Sequence, residues 1–448
     1  MPEVPCSLAG LLSLLAPCFT APTHRTFQAL LVGFVSRTAD RTVCGMLVGA
    51  RLTGVWHHCR AHRFFSRACW SVDELGLRIA DIVIDRLLEP GAPIVLAIDD
   101  TLLARRGRRV HGAHWHHDAT ANSSRKTSAW GNNWVVVGIV VRVAFLDRPV
   151  CLPVALALWR PRQTHVPKGR PDPERPSKPR LARQIIDSIA AIYPERTVHG
   201  VGDAGYASGA WRGLPERVTM TFRVRRDAAL YAPTPPKTGR LGRPAKRGER
   251  LAQIAQIAAD STADWTHATA TRYAKTEQLH VRVVRCLWYE ALNDTPCRLI
   301  IVRDPQDPAR AQLALITTDL DCTPAQIIER YADRWSIEVC FQDAKHVFGV
   351  GEARNRVQPA VERTAPFGFL TMTLTILWYA LSGHHPDVVA AHRARAPWYL
   401  TKTNPSTTDM LAKLRRTIIA AQYQPRRASA PTRQEITAVQ QAWAAAAA

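Results

Sequence analysis

Tyr331, Arg334, Glu338 and Lys345 stand at offsets of 3, 4 and 7 in the run Tyr331-Ala-Asp-Arg334-Trp-Ser-Ile-Glu338-Val-Cys-Phe-Gln-Asp-Ala-Lys345. At about 100° per residue, one helix gathers those four side chains within an arc of roughly 60°. An aromatic ring, two cations and a carboxylate on one face can touch a phosphate. Two upstream segments, Pro93-Ile-Val-Leu-Ala-Ile-Asp99-Asp100-Thr101 and His199-Gly-Val-Gly-Asp203-Ala-Gly-Tyr206, are apolar runs that end in aspartate. That is the pattern of buried strands emptying into a site. Three carboxylates from separate elements suffice to hold two divalent ions about 3.5–4 Å apart, the arrangement that makes an oxygen nucleophilic and stabilises the leaving oxygen in phosphodiester cleavage. Taken alone, the Arg334/Glu338 pair reads as a solvated salt bridge worth well under ~1 kcal/mol. Four matched positions together with two strand-end aspartates favour a site instead.

The arrangement Y-x2-R-x3-E-x6-K resembles the YREK signature of bacterial insertion-sequence transposases of the DDE class, and the likeness covers roughly residues 90 to 382. The resemblance implies Glu338 as the last of three catalytic, metal-holding carboxylates and Asp203 as the second. It favours Asp100 over Asp99 as the first, because that aspartate commonly stands directly before a Thr in such transposases. Tyr331, Arg334 and Lys345 would contact phosphates of the transposon end, with Arg330 a weaker candidate. Magnesium would be the ion, with manganese a plausible substitute. The expected activity is cut-and-paste transposition: binding of terminal inverted repeats, strand cleavage leaving a 3′-OH, and attack of that 3′-OH on target DNA by a homodimer holding two ends. A hairpin intermediate is implied by the resemblance alone. The rival readings are a host nuclease of the same fold without strand transfer, and a catalytically inactive DNA-binding remnant.

The remaining sequence must position these groups. Glu338 follows Asp203 at an offset of 135 positions, farther than the direct connection of a bare RNase H-like core, so an inserted domain is expected. The fold class is α/β: an RNase H-like catalytic core with an inserted, mainly β domain and an N-terminal helical domain. The expected divisions are a helical DNA-binding domain at 1–88, the first part of the core at 89–228, the insertion at 229–311, the rest of the core at 312–382 and a polar C-terminal region at 383–448. Strands are predicted at 94–99, 134–145, 150–159, around Asp203 and at 218–224, with helices at 181–193 and near 206–212. The insertion alternates at 266–273, 279–289 and 298–302, and 313–317 returns the chain to the core. Ser71 with Glu74, and Thr323 with Gln326, are capping boxes that open helices. Ile337, Phe341, Ala344 and Phe348 form an apolar stripe beside the polar face of the signature helix.

Composition agrees with an acidic polymer as partner. The formal net charge is +22 and the sequence pI about 10.2, so an acidic polymer is expected, and the resemblance implies that it is double-stranded DNA. Ten cysteines without a C-x-x-C pair suggest reduced thiols in a cytoplasm, and the resemblance implies a bacterial one, in association with the nucleoid. Leu8 to Phe19 lacks a preceding basic residue and reads as an ordinary helix rather than a signal peptide. Ala365 to Gly383 approaches the length of a membrane span but reads as a buried core helix, so no membrane is expected. The basic stretch from His57 to Arg67 suits either duplex recognition or helical support. His111, His114, His116 and His117 with Asp118 lack a zinc-site pattern and read as a DNA-facing loop. Gly242-Arg243-Pro244 fits an A·T-rich minor groove or a solvated linker. Trp265 and Trp288 are base-wedge candidates against buried packing.

Overall fold

The structure is a computed structural model that describes residues 4–117, 128–163, 172–236, 245–260, 262–304, 307–398, 401–422 and 432–447. Asp118 and the Gly242-Arg243-Pro244 core lie outside them. Five helices open the chain: α1 (Cys6–Ser13), α2 (Ala21–Ser36), α3 (Val43–Gly49), α4 (His58–Ser66) and α5 (Val72–Leu87). The Ser71 hydroxyl accepts from the Glu74 N–H at the start of α5, satisfying one of its orphan donors.

Strands then alternate with helices. The chain runs β1 (Ile94–Ala104), β2 (His114–His117), β3 (Ser128–Val141), β4 (Val150–Trp159), α6 (Lys178–Ile192), β5 (Val198–Gly202) and β6 (Val218–Arg223). It continues through α7 (Ile254–Ala259), β7 (Thr266–Arg272), β8 (Lys275–Leu287), α8 (Tyr289–Leu292), β9 (Pro296–Asp304) and β10 (Asp307–Thr317). The last helices are α9 (Pro324–Asp333), α10 (Ser336–His346), α11 (Gln358–Trp378), α12 (Asp387–Arg395), α13 (Thr407–Gln422) and α14 (Arg433–Ala447).

All ten strands belong to one mixed sheet of order β2-β3-β1-β5-β6-β10-β9-β8-β7, with β4 also paired to β3. β1, β5 and β6 are mutually parallel, whereas β3 and β10 run antiparallel to their inner neighbours. The strands of the 229–311 segment therefore extend the central sheet through β10 and do not form a sheet of their own. The N-terminal helices are likewise continuous with the rest: Phe367 of α11 makes edge contacts with Phe27, Phe34, Phe64 and Phe65. One apolar cluster runs from Leu8 to Ile418. The helix from Gln358 to Gly383 is long and apolar enough to cross a membrane, but 89% of its most apolar window is buried inside the fold. There it packs on β4, α4 and α5.

The two faces of the sheet carry different helices, and this decides the site. Val95 and Val201 face α9, where they meet Ile327, Ile328 and Tyr331. Gly200 and Met220 face α6, where a Cβ on Gly200 would meet Ile186 at 3.1 Å.

Candidate active site

The signature segment is two helices, not the single one expected. α9 ends at Asp333 and α10 begins at Ser336. At the junction the backbone tightens to i→i−3 bonds: the Trp335, Ile337 and Glu338 N–H groups donate to the carbonyls of Ala332, Arg334 and Trp335. Ser336 Oγ–H donates to the Asp333 carbonyl at 2.7 Å, and such a side-chain bond competes with the regular helical ladder. The start of α9 is specified locally, since Thr323 and Gln326 exchange both bonds of a capping box. Ile337, Phe341, Ala344 and Phe348 are buried and anchor α10 to the core.

Arg334 sits at the junction, 8% exposed, and bridges two carboxylates. Its Nη1 donates to Asp99 Oδ2 at 2.8 Å and its Nη2 to Glu338 Oε1 at 3.2 Å. Asp203 follows the last residue of β5, where its Oδ1 accepts from the Gly205 N–H at 2.9 Å, an Asx turn that fixes the carboxylate. The β1/β5 register pairs Val95 with His199 and Ala97 with Val201. Two residues further on, the same parity sets Asp99 beside Asp203.

The electrostatics agree with the register. Burial pushes the Asp99 carboxyl up to about 6; Arg334 and the Asp100 N–H oppose that rise, and the charges of Asp203 and Asp100 add to it. Glu338 is raised by burial as well, with Arg334 opposing and Asp203 reinforcing. Asp99, Asp203 and Glu338 therefore form one acidic group with a single embedded guanidinium.

Asp100, the aspartate favoured from sequence, lies on the other face. Its carboxylate accepts from Lys178 Nζ at 2.6 Å, Asn133 Nδ2 at 3.0 Å and Tyr206 OH at 3.3 Å. Lys178 opens α6, the helix covering that side. The difference between the two is one of strand parity: adjacent residues on a strand point to opposite faces, and Arg334, at the junction of α9 and α10, pairs with Asp99.

Tyr331 is 9% exposed and packed among Ile327, Ile328 and Val201. The Arg334 guanidinium lies 5.5 Å from its ring centroid. Lys345 is half-buried, two turns beyond Glu338. Arg330 points inward: its Nη1 lies 3.1 Å from Asp319 Oδ2 and 3.2 Å from His199 Nδ1. His199 also contacts Thr219 and Thr221, and Thr221 bonds Thr317. The hydrogen bond with His199 is the main force holding the Asp319 carboxyl below the usual carboxylate range. Arg330 thus ties α9 to β5 rather than facing a ligand.

Two features were not anticipated. Trp335, 49% exposed, meets the exposed Tyr273 edge to face at 6.4 Å. Arg223, Arg272, Tyr273, Tyr331, Arg334 and Trp335 line a cleft of about 320 Å³. The available signal was Trp335 inside the signature run; the β6 and β7 arginines gave none. Trp265 and Trp288 are occupied in packing, the first under Arg303 at 3.8 Å and the second buried. His111 pairs with Glu362, and His116 packs on Trp159, so these two histidines diverge.

The carboxylate cluster on the mixed sheet shares Arg334 with the neighbouring arginine-lined cleft, an arrangement compatible with phosphodiester chemistry. The profile of the DDE superfamily endonucleases matches residues 14–294, more than half of the chain, and the protein belongs to that family. The family implies DNA as substrate and endonuclease chemistry that generally uses divalent metals. The matched span includes Asp99, Asp100 and Asp203 and ends before Glu338. No curated protein matches the chain.

Proposed function

We propose that this protein is a DNA transposase of an insertion sequence, with Asp99, Asp203 and Glu338 as its catalytic carboxylates and Asp100 as their neighbour on the opposite face. The observation that carries the reading is the convergence of three carboxylates, from β1, the end of β5 and α10, around Arg334. The strand order β4-β3-β1-β5-β6, with an antiparallel half and a parallel half, supports an RNase H-like core.

The donor chemistry fits a pair of divalent ions. The cluster offers hard oxygens; burial first, and the charge of Asp203 second, raise Asp99 and Glu338, and bound cations would offset both effects. Bound magnesium, or manganese in its place, would supply Lewis acidity to the attacking and leaving oxygens. The protein's own groups do the positioning. Arg334 keeps a buried Nε–H with no hydrogen-bond partner, a donor suited to a phosphate oxygen next to the scissile bond. Tyr331 backs that guanidinium, and Lys345 extends the cationic face along α10. These three form the YREK contact set to the transposon end. A homodimer would hold two ends in the synaptic complex, in the bacterial cytoplasm at the nucleoid.

The test is single-turnover cleavage of a duplex carrying the gene's own flanks, with magnesium, by the wild type and Glu338→Gln. The variant should bind the duplex and lose cleavage by orders of magnitude. Wild-type-like cleavage would remove Glu338 from the triad. Joining of the released 3′ end to a second duplex supports the transposase; cleavage without joining would reduce it to a nuclease.

A further inference from the structure

Asp99 and Asp203 each lie two residues beyond the last pair of the β1/β5 ladder, Ala97 with Val201. The ladder therefore does not set the gap between the two carboxylates. Arg334 fixes Asp99 against Glu338, which leaves Asp203 to be placed. The side chain of Tyr206 crosses from the Asp203 turn to β1, where its hydroxyl donates to Asp100 Oδ1 at 3.3 Å.

Both ends of that bond are held. Tyr206 is 2% exposed; its N–H donates to the Asp203 carbonyl at 3.2 Å, and its own carbonyl accepts from Trp211 Nε1 at 2.7 Å. The turn folds back so closely on β5 that a Cβ on Gly202 would come within 3.1 Å of the Tyr206 Cβ. At the other end, Asp100 Oδ2 accepts from Lys178 Nζ at 2.6 Å and from Asn133 Nδ2 at 3.0 Å. The Asp100 N–H in turn donates to Asp99 Oδ1 at 2.8 Å. One residue thus receives the Asp203 turn through its side chain and orients Asp99 through its backbone.

We propose that Tyr206 is a positioning residue, which acts through Asp100 to hold Asp99 and Asp203 at the spacing that divalent ions require. The proposal rests on the reading of Asp99, Asp203 and Glu338 as the metal-holding carboxylates. The adjacent aspartates then divide the work: Asp99 offers oxygens to an ion, and Asp100, on the opposite face, anchors the turn that carries Asp203. Lys178, whose Nζ lies 5.1 Å from the Trp159 ring centroid, offsets the charge that Asp100 adds beside Asp99. The phenol stays a donor, since burial first, and then the charges of Asp100, Asp99 and Asp203, raise it well above its ordinary range. A buried tyrosine ordinarily finds some partner for its hydroxyl, so the bond by itself would be only a satisfied core contact. Its end point makes the difference, because the acceptor is the residue whose backbone bonds the first carboxylate and the donor belongs to the turn of the second.

The full-length protein, stripped of metal, is titrated with manganese alone and followed by the loss of the free-ion electron paramagnetic resonance signal, with thermal unfolding measured beside it in a chelator. Tyr206→Phe keeps the ring and removes only the hydroxyl. Loss of an outer partner of a metal ligand typically costs about 10–100-fold in affinity, so this variant should bind manganese about tenfold or more weakly and melt close to the wild type. Asp100→Ala should weaken binding too, and Tyr206→Phe added to it should cost little more, since both remove the same bond. In duplex cleavage, Tyr206→Phe should need about tenfold more manganese for its half-maximal rate and approach the wild-type rate at saturation. A tyrosine that only filled the core would shift the melting temperature and leave the manganese affinity where it was. Unchanged manganese affinity in Tyr206→Phe, with binding lost in Asp99→Asn, would overturn the proposal and leave the carboxylate reading standing, and so would additive losses in the double variant. A wild type that binds no manganese would overturn both.

Discussion

Replacing Asp99 with Asn separates the face assignment from every other feature of the site. The substitution keeps the shape of the side chain and removes its charge. In the metal-free protein the Asp99 carboxyl is raised from the ordinary 3.8 to about 6, a gap worth roughly 3 kcal/mol at about 1.36 kcal/mol per pH unit. An acid whose folded pKa is raised contributes stability that is fully present below its unfolded pKa and lost as pH rises through its folded pKa. For Asp99 the window opens near pH 4 and closes just above pH 6. At neutral pH the ionised group costs the metal-free fold up to about 3 kcal/mol relative to its neutral form. Asp99→Asn should therefore be more stable than the wild type at pH 7.5 by about 1–3 kcal/mol, the lower end reflecting the lost charge partner of Arg334. Near pH 4 the two proteins should be nearly equal. Urea unfolding in a chelator across pH 4–8 measures the difference, and single-turnover cleavage with magnesium should be lost in the same variant. Parallel pH profiles with surviving cleavage would refute the placement of Asp99 in the acidic group.

Asp100→Asn removes the partner of a partly exposed Lys178, so a loss of about 1 kcal/mol or less and a measurable cleavage rate are expected; abolished cleavage would return the first carboxylate to Asp100. Arg334→Ala leaves Asp99 buried without its cation and should cost about 3–5 kcal/mol in urea unfolding at neutral pH, with little cost where Asp99 is protonated. Asp319→Asn loosens the Arg330 and His199 ties and should destabilise the fold at neutral pH; because Asp319 has a lowered pKa, the deficit should shrink as acid protonates the wild-type carboxyl. Binding to duplex DNA should weaken steeply with salt, and Lys345→Ala should flatten the log–log slope by about one unit; an unchanged slope would exclude a phosphate contact.

Local chemistry was legible in the chain wherever it depends on neighbours in sequence. Capping at Ser71 and at Thr323 marks the starts of α5 and α9 because cap and partner are three residues apart. The bounds of β4, Val150–Trp159, follow from a continuous apolar run. The stripe from Ile337 to Phe348 is read from helical periodicity, and its four side chains are buried. Tertiary structure decided what periodicity leaves open. Asp99 and Asp100 are chemically identical and adjacent, so the choice between them depends on which helices cover which face of the sheet. Strand alternation puts the two on opposite faces, and only the docking of α9 and α10 decides which of them meets Arg334. The tight turn at Arg334, the inward pull on Arg330 by Asp319, and the joining of β7–β9 to the central sheet through β10 likewise come from groups distant in sequence. Tyr206 meets Asp100 for the same reason: packing of the Asp203 turn on β1 sets that distance, and nothing in the spacing of the two residues announces it.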